Sequence, residues 1–315
     1  MQHLSALTAH VRNELSKVII GQREVVDQLV LILVCGGHAV MEGVPGLAKT
    51  LAVKSLARIC GLGFQRVQCT ADLMPSDVTG TNVFDLSKNT FSMHRGPVFT
   101  DLLLVDEINR TSPRTQAALL EAMEERQVTI DGVRYPLPEN FTVFATQNPI
   151  EFEGTYPLPE AQLDRFLLKI HVGYPSAEDE VEILSRYEAG FDSRRVNEIE
   201  LSPLDLALLP AARQEIANVQ VEPALRSYVV SIARRTRDWP AISLGASPRA
   251  VIGLFFAARA LAGMDGRDYL LPDDIKNAAL PVLRHRILLK PEADLEGLTS
   301  DQVIKQVISA VEVPK

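Results

Sequence analysis

The chain has 315 residues, 46% of them hydrophobic and 23% charged, with a formal net charge of −8 and an isoelectric point of about 5.4. This composition is ordinary for a globular protein long enough for about two domains, and the acidic balance argues against general nucleic-acid binding. The longest apolar run, residues 29–35, is too short to span a bilayer, and the N-terminus lacks the pattern of a signal peptide. Cys35, Cys60 and Cys69 have no metal-ligand spacing, which is typical of reduced thiols. We therefore expect a cytoplasmic protein without membrane insertion.

The N-terminal segment predicts two helices before the first strand. An amphipathic pattern runs from Leu4 to Val18, and Gly21 is suited to end this helix. A second helix is predicted from Glu24 to Cys35. The apolar run 39–41 then predicts a strand that leads directly into a glycine-containing loop.

The loop after this strand has the pattern of a nucleotide phosphate cradle. It consists of Gly43, Val44, Pro45, Gly46, Leu47, Ala48, Lys49 and Thr50, and a helical pattern continues from Leu51. Strand, glycine loop, Lys-Thr and helix is the order of a P-loop, in which backbone N–H groups and a helix N-terminus point at an anion. Lys49 would contact the β- and γ-phosphates, and Thr50 would ligate Mg²⁺. Ala48 stands where a second glycine is usual, and its methyl group still allows the backbone to approach a phosphate if its φ angle is negative.

A second apolar run, residues 102–105, ends in the carboxylates Asp106 and Glu107. Such a run predicts a strand buried on both faces of a parallel sheet, and ligands of these sheets sit at the carboxyl ends of the strands. Asp106 is therefore expected to hold Mg²⁺, and Glu107 to orient and deprotonate an attacking water. Two solvated acids that end a strand are the alternative.

Two hairpins are predicted on either side of this strand. Residues 82–86 and 90–93 flank the turn Ser87-Lys88-Asn89, and Asp-Gly lies between the alternating apolar residues of 128–135. Between the second hairpin and Asp106-Glu107, a helix is predicted from Pro113 to about Arg126.

A third candidate strand, residues 141–146, is followed by Asn148. Its amide is suited to hydrogen-bond a γ-phosphate or the attacking water, although Asn-Pro also forms ordinary turns. Arg165, in the run Leu-Asp-Arg-Phe, is either a bidentate phosphate ligand or an ion-pair partner of Asp164.

The remainder of the chain is predicted to be mainly helical. The expected helices cover residues 176–189, 202–209, 210–217, 223–237, 247–262 and 272–286. Ser247 and Pro248 form a helix start, and Arg249 lies in the first turn, where a cation opposes the helix macrodipole. That conflict is easier to understand if Arg249 meets a phosphate; an ordinary surface arginine is the alternative.

Together these residues resemble the MoxR family of AAA+ ATPases over nearly the whole chain. The resemblance is carried by the phosphate loop and by the runs Val105–Arg110, Ala145–Pro149, Leu163–Phe166 and Gly245–Ala250. An alanine before the lysine is itself a feature of this family. The resemblance implies hydrolysis of ATP with Mg²⁺ by a homo-oligomeric ring, expected to be a hexamer, with nucleotide between subunits. It also implies a client or adaptor protein, often one with a von Willebrand factor A domain, that the ring remodels or matures.

The resemblance also implies a set of site residues. The expected nucleotide-binding residues are Gly21 and Gln22, in a segment that lies over the adenine in relatives, and the loop from Gly43 to Leu51. The expected catalytic residues are Glu107, Asn148, Arg165 and Arg249, and the expected magnesium ligands are Thr50 and Asp106. In this clade Arg165 is expected to reach the γ-phosphate of the neighbouring subunit. If Glu107 does not act as the base, Glu121 and Glu124 are the next candidates for that role.

The motifs and the resemblance predict an α/β fold. A P-loop NTPase doubly wound parallel sheet, the AAA+ core, is expected in residues 1–174, with hairpin inserts at about 76–99 and 127–137. A linker helix and an all-helical lid are expected in residues 175–315. The alternatives are a magnesium-chelatase-like ATPase subunit, a nucleic-acid motor of the MCM kind, which the acidic charge disfavours, and a non-catalytic nucleotide-binding scaffold.

Overall fold

The computed structural model describes residues 1–87, 89–149 and 154–314, without the side chains of residues 194, 196 and 197. The N-terminal part contains α1 (Gln2–Ser16), α2 (Arg23–Cys35), β1 (Ala39–Glu42), α3 (Lys49–Ile59), β2 (Phe64–Gln68), α4 (Pro75–Thr79), β3 (Gly80–Asp85), β4 (Thr90–Arg95), β5 (Leu102–Asp106), α5 (Pro113–Glu125), β6 (Gln127–Ile130), β7 (Val133–Pro136), β8 (Thr142–Gln147), α6 (Glu160–Leu163) and β9 (Leu168–His171). A short 3₁₀ helix, Ile108–Arg110, follows β5.

Strands β2, β5, β8, β1 and β9 form one parallel sheet in that spatial order. Glu42 at the end of β1 pairs with Gln147 at the end of β8, and Gln68 at the end of β2 pairs with Asp106 at the end of β5. The carboxyl ends of these four strands therefore meet at one edge of the sheet, as the sequence predicted.

The C-terminal part is a set of helices with a small two-stranded sheet. It contains α7 (Ala177–Glu188), α8 (Leu208–Asn218), α9 (Pro223–Arg237), β10 (Ile242–Leu244), α10 (Pro248–Met264), α11 (Pro272–Leu283), β11 (Leu288–Leu289), α12 (Pro291–Leu295) and α13 (Ser300–Ser309). The predicted P-loop α/β fold with a helical C-terminal lid is confirmed. None of the helices in the described residues combines the length and apolar composition that a membrane span requires.

Helices cover both faces of the sheet because alternate residues of each strand point to opposite sides. On one face, Ala39 and Met41 belong to a core that also includes α1, α2, α3 and buried residues of the C-terminal helices. On the other face, Val40 packs in a second core with α5 and β6. The lid is therefore attached to the sheet through a continuous apolar core.

The predicted helix over residues 202–209 is wrong. Residues 201–205 have no regular secondary structure, since Leu201 and Leu204 are buried in the core and the Leu204 N–H donates to the Ile59 carbonyl at 2.6 Å. Helix α8 begins only at Leu208. Pro210 does not break this helix, because it lies in the first turn, where its missing N–H has no intrahelical partner to lose.

Two antiparallel hairpins, β3–β4 and β6–β7, project from the sheet. A hydrogen bond from Asn82 Nδ2 to Asp131 Oδ2 (2.8 Å) joins them. Phe84 and Phe91 pack edge to face in the first hairpin, but both are exposed, and Leu86 at its tip is 87% exposed. This hairpin therefore presents apolar side chains to solvent; Lys88 of the predicted turn lies outside the described residues.

Candidate active site

Glycines shape the loop between β1 and α3. Gly46 has a φ angle of +88°, in the left-handed region that favours glycine. A Cβ on Gly43 would overlap the carbonyl oxygen of Val172, just beyond β9. The chain can therefore turn from strand to helix within the few residues that the phosphate-loop motif allows.

Ala48 adopts a left-handed backbone conformation, with φ +56° and ψ +17°, immediately before α3. A negative φ angle, the condition that the sequence analysis set for close approach of the backbone to a phosphate, is therefore not met. This conformation costs a residue with a Cβ about 1–2 kcal/mol. Strain of this kind persists where the surrounding structure imposes it, and such positions are enriched at ligand-binding loops and active sites.

The ammonium group of Lys49 lies against the loop itself. Its Nζ donates hydrogen bonds to the carbonyl oxygens of Gly43 (2.5 Å) and Val44 (2.9 Å). Burial lowers the pKa of Lys49, while the charges of Asp106 and Glu107 oppose that shift. A cation is thus held between the loop backbone and two carboxylates.

Asp106 accepts hydrogen bonds from three side chains at the end of β5. Its Oδ2 accepts from Arg66 Nε at 2.6 Å and from the Thr50 hydroxyl at 3.5 Å, and its Oδ1 accepts from the Thr146 hydroxyl at 3.0 Å. Asp106 itself is buried, whereas about half of the Arg66 side chain is exposed. The carboxylate oxygen that faces Thr50 is therefore shared with a guanidinium group.

Glu107 is held by hydrogen bonds to both its backbone and its side chain. Its φ angle is +57°, and its N–H donates to Thr146 Oγ1 at 2.9 Å. Its Oε2 accepts from Gln68 Nε2 at 2.8 Å and from Arg110 at 3.1 Å. A left-handed glutamate at the end of a buried strand is the second strained position of this site.

Sequence analysis missed Arg66, Gln68 and Thr146. Arg66 and Gln68 are two residues apart at the end of β2, so they share one face of the strand, and Arg66 donates to Gln68 Oε1 at 2.9 Å. They link Asp106 to Glu107 through side chains. The only signal in the sequence was their place at a strand end, which does not reveal that β2 is the neighbour of β5.

The donors around Thr50 and Asp106 fit a magnesium ion. Hydroxyl and carboxylate oxygens are the hard ligands that Mg²⁺ prefers, and such sites commonly use one or two carboxylates together with waters and substrate phosphates. Over residues 1–87, 89–149 and 154–314, no group of three or more His, Cys, Asp or Glu side chains is arranged to hold a metal. Thr50 and Asp106 supply one hydroxyl and one carboxylate, which are donors of the kind that such sites use.

The loop and the two carboxylates open into a cavity of about 1000 Å³. Its lining includes residues of the loop and of the strand ends, namely Pro45, Gly46, Leu47, Ala48, Lys49, Thr50, Leu51, Asp106, Glu107 and the buried Asn148. Its lining also includes mainly apolar residues from the segment between α1 and α2 and from in and around α7, namely Val18, Ile19, Ile20, Gln22, Tyr174, Ile183, Leu184, Tyr187 and Phe191. A cavity whose lining combines a lysine and a helix N-terminus with apolar and aromatic side chains suits a ligand that joins phosphates to an aromatic base.

Gly21, Gly43 and Val44 are not among the residues that line this cavity. Gly43 and Val44 take part through their carbonyl groups, which accept from Lys49. Gly21 has a φ angle of +73°, and a Cβ there would overlap the Asp179 carboxylate of α7. Its role in the structure is to let residues 18–22 approach α7, and both of these segments line the cavity.

Arg165 and Arg249 lie elsewhere and are not among the lining residues. Arg165 donates to the Leu120 carbonyl at 2.9 Å, and its Nε is 3.9 Å from Glu124 Oε2. Arg249 donates to the other carboxylate oxygen of Glu124. The two arginines therefore converge on one acid of α5, and neither points into the cavity of its own chain.

Asp164 is not the partner of Arg165. Its carboxylate accepts from Arg286 Nε at 2.8 Å and from the Ser247 hydroxyl at 2.9 Å. Glu124 and Glu121 are likewise not among the cavity-lining residues, so the structure does not place either of these alternative bases beside the phosphate loop.

The chain is similar to known proteins in sequence and in fold. Residues 38–168 match the family model described as "ATPase family associated with various cellular activities (AAA)", and residues 234–307 match an AAA lid domain. The chain is 45% identical to chaperone MoxR1 of Mycobacterium tuberculosis, covering 96% of this chain and 81% of that protein, and 42% identical to the uncharacterized protein YeaC of Bacillus subtilis, covering 99% and 97%. A crystal structure from Cytophaga hutchinsonii, titled as that of a proposed ATPase, superposes with a TM-score of 0.89 at 40% identity, covering 100% of this chain and 98% of that one.

Proposed function

The chain belongs to the MoxR family of AAA+ ATPases, and we propose that it hydrolyses ATP in the cavity and uses this reaction to remodel or mature partner proteins. The observation that carries the proposal is the convergence of Lys49, Thr50, Asp106 and Glu107 on one cavity. These residues come from the ends of two different strands and their following segments, so the sheet itself assembles the set.

The proposed reaction is in-line attack of water on the γ-phosphoryl group, to which the protein contributes positioning and charge stabilisation. Loop N–H groups and Lys49 bind the phosphates, with Lys49 exchanging its two carbonyl partners for phosphate oxygens. Glu107 orients the water and takes its proton, and Asn148 donates a hydrogen bond to the water or the γ-phosphate. A magnesium ion held through Thr50 and Asp106 would neutralise phosphate charge.

We infer that the active form is a homo-oligomeric ring, expected to be a hexamer, in which Arg165 contacts the nucleotide of a neighbouring subunit. Its support is geometric: Arg165 is one-third exposed and lies outside its own cavity. The division of the chain near residue 174 and the pairing with a client that has a von Willebrand factor A domain remain proposals. The similarity to a protein named chaperone MoxR1 favours a protein client over a chelatase complex or a nucleic-acid motor.

Lys49→Ala is expected to weaken binding of ATP by at least tenfold. The substitution removes charged hydrogen bonds to the phosphates, each of which contributes roughly 1.5–3 kcal/mol. Isothermal titration calorimetry with ATP and Mg²⁺ measures the change in affinity. Lys305→Ala, which removes an exposed lysine from α13, is the matched control. Unchanged affinity in a folded Lys49→Ala protein would rule out the cavity as the phosphate site.

Arg66→Gln is expected to lower the Mg²⁺ concentration at which ADP binding, measured at a fixed ADP concentration, reaches half of its maximum. The guanidinium group of Arg66 occupies the Asp106 oxygen that faces Thr50, so its removal frees that oxygen for the metal. Because Arg66 is half-exposed, the effect should be modest, about twofold to fivefold, as for other exposed ion pairs. Mg²⁺ titrations at fixed ADP should show this shift in Arg66→Gln and not in Arg226→Gln, which removes an exposed arginine from α9; a higher Mg²⁺ requirement would contradict it.

A further inference from the structure

Glu124 joins two arginines that come from distant parts of the chain. Arg249 donates to Glu124 Oε1, and Arg165 Nε lies 3.9 Å from Glu124 Oε2. Arg165 also donates to the carbonyl of Leu120, one turn earlier on α5, which fixes its guanidinium group beside Glu124. The two guanidinium groups thus share one carboxylate, each facing a different oxygen. Guanidinium groups bind phosphate oxygens in the same manner.

The group formed by Arg165, Arg249 and Glu124 has a net positive charge. Arg165 and Arg249 contribute two positive charges, and Glu124 contributes one negative charge. Asp164, which precedes Arg165 in the chain, is already paired with the buried Arg286. Within this group of three side chains, one positive charge is not balanced by Glu124, and an anion can pair with it.

An anion from outside the chain can reach this group. The side chains of Arg165, Glu124 and Arg249 are 34%, 37% and 45% exposed. They do not line the cavity that holds Lys49, so the nucleotide of the same chain is not the anion in question. In the proposed ring, the cavity of a second copy would hold the terminal phosphate of its ATP, and this phosphate is an anion from outside the chain.

We infer that Glu124 is a placeholder for this phosphate: it holds Arg165 and Arg249 together in the separate subunit and releases them when an ATP-loaded neighbour docks. The inference rests on the proposed function, and it places Arg249 in the same intersubunit site as Arg165. Glu124 is a positioning residue in this scheme, since it acts only through the two arginines.

Electrostatics predicts the direction in which removal of the Glu124 charge changes the association of subunits. In the separate subunit, Glu124 stabilises the arginines, and docking has to break those contacts. In the assembled ring, the carboxylate would lie close to a phosphate of like charge. Both effects oppose assembly, so neutralising Glu124 should promote association of subunits. Two exposed ion pairs correspond to a change of roughly threefold to tenfold in an association constant.

The test measures ATP-dependent association by sedimentation velocity in a Glu107→Gln background, in which ATP binds without turnover. Adding Glu124→Gln should lower the subunit concentration at half-association by about threefold to tenfold. Adding Glu125→Gln, which removes the same charge one residue further along α5, should leave it unchanged. Glu124→Ala should also lower the subunit concentration at half-association. This decrease should be smaller when Arg249→Ala is also present, because one of the two cations that contact Glu124 is then absent.

The outcomes separate this inference from the proposed function. If the Glu107→Gln parent associates with ATP but Glu124→Gln leaves the midpoint unchanged or raises it, the placeholder role is overturned and ATP-driven assembly stands. If the parent shows no association that depends on ATP, the ring and the placeholder fall together. Thermal denaturation of each variant establishes that the compared proteins are folded.

Discussion

Glu107→Gln is expected to reduce ATP turnover by about 10²-fold or more while ATP still binds. Glutamine preserves the length of the side chain and can still accept a hydrogen bond from Gln68, but its amide cannot take a proton from water. Lys49 and the loop backbone are untouched, so the binding interactions remain. The substitution therefore separates proton transfer from nucleotide affinity.

Phosphate release at saturating ATP gives the turnover, and calorimetry gives the affinity of the same protein. Glu121→Gln removes an equal charge from α5, outside the cavity-lining set, and should turn over at the rate of the unmodified chain. ATP-bound assemblies should accumulate with Glu107→Gln, since the step that ends the bound state is blocked. Turnover close to that of the unmodified chain would mean that another group activates the water.

The sequence predicts that Lys49, Thr50, Asp106 and Glu107 lie close together because the signals for their positions are local. The phosphate loop and the Asp106-Glu107 pair each lie at the end of a short apolar run, and both runs are buried strands in the structure. A parallel sheet brings strand ends to one edge, so two local patterns were enough to bring Lys49 and Asp106 together. The same logic placed Asn148 at the end of β8.

Features that depend on tertiary contacts could not be predicted from local sequence patterns. Ala48 takes a left-handed conformation against its intrinsic preference, because the strand, loop and helix around it determine its backbone. The contacts of Arg66 with Asp106 require knowing that β2 and β5 are neighbours. The convergence of Arg165 and Arg249 on Glu124 joins three segments up to 125 residues apart.

The C-terminal part shows two different reasons why helices were predicted incorrectly. Residues 201–205 have a plausible helical composition, yet Leu201 and Leu204 are buried in the main core and the segment has no regular secondary structure. In contrast, α13 carries a local signal that sequence analysis overlooked: Thr299 and Gln302 form a capping box at its start. The error at residues 201–205 arose from long-range packing, whereas α13 was missed because its local capping motif was overlooked.

Arg165→Ala is expected to abolish ATP turnover while ATP binding to the separate subunit stays largely intact. Arginine fingers contribute about 10³–10⁵ in rate by stabilising charge that develops on the transferring phosphoryl group. In the structure, Arg165 lies beside Glu124 and outside the cavity-lining set, so its removal leaves the loop and Lys49 unchanged. Phosphate release and calorimetry on the same preparations measure the two quantities, with Arg226→Ala on α9 as the matched loss of an exposed arginine.

A residue that acts on a neighbouring subunit can be supplied by a different protein molecule. Mixing Arg165→Ala subunits with an excess of Glu107→Gln subunits, each nearly inactive alone, should restore part of the ATP turnover. In a mixed ring, the cavity of an Arg165→Ala subunit keeps its own Glu107 and can receive Arg165 from an adjacent Glu107→Gln subunit. Weakened ATP binding by a monomeric Arg165→Ala preparation would instead show that the arginine acts within its own chain. If mixed rings form and remain inactive, either Arg165 serves only the structure around Glu124 or hydrolysis requires several adjacent intact sites, and mixing Arg165→Ala with the unmodified chain at varied ratios distinguishes these two explanations.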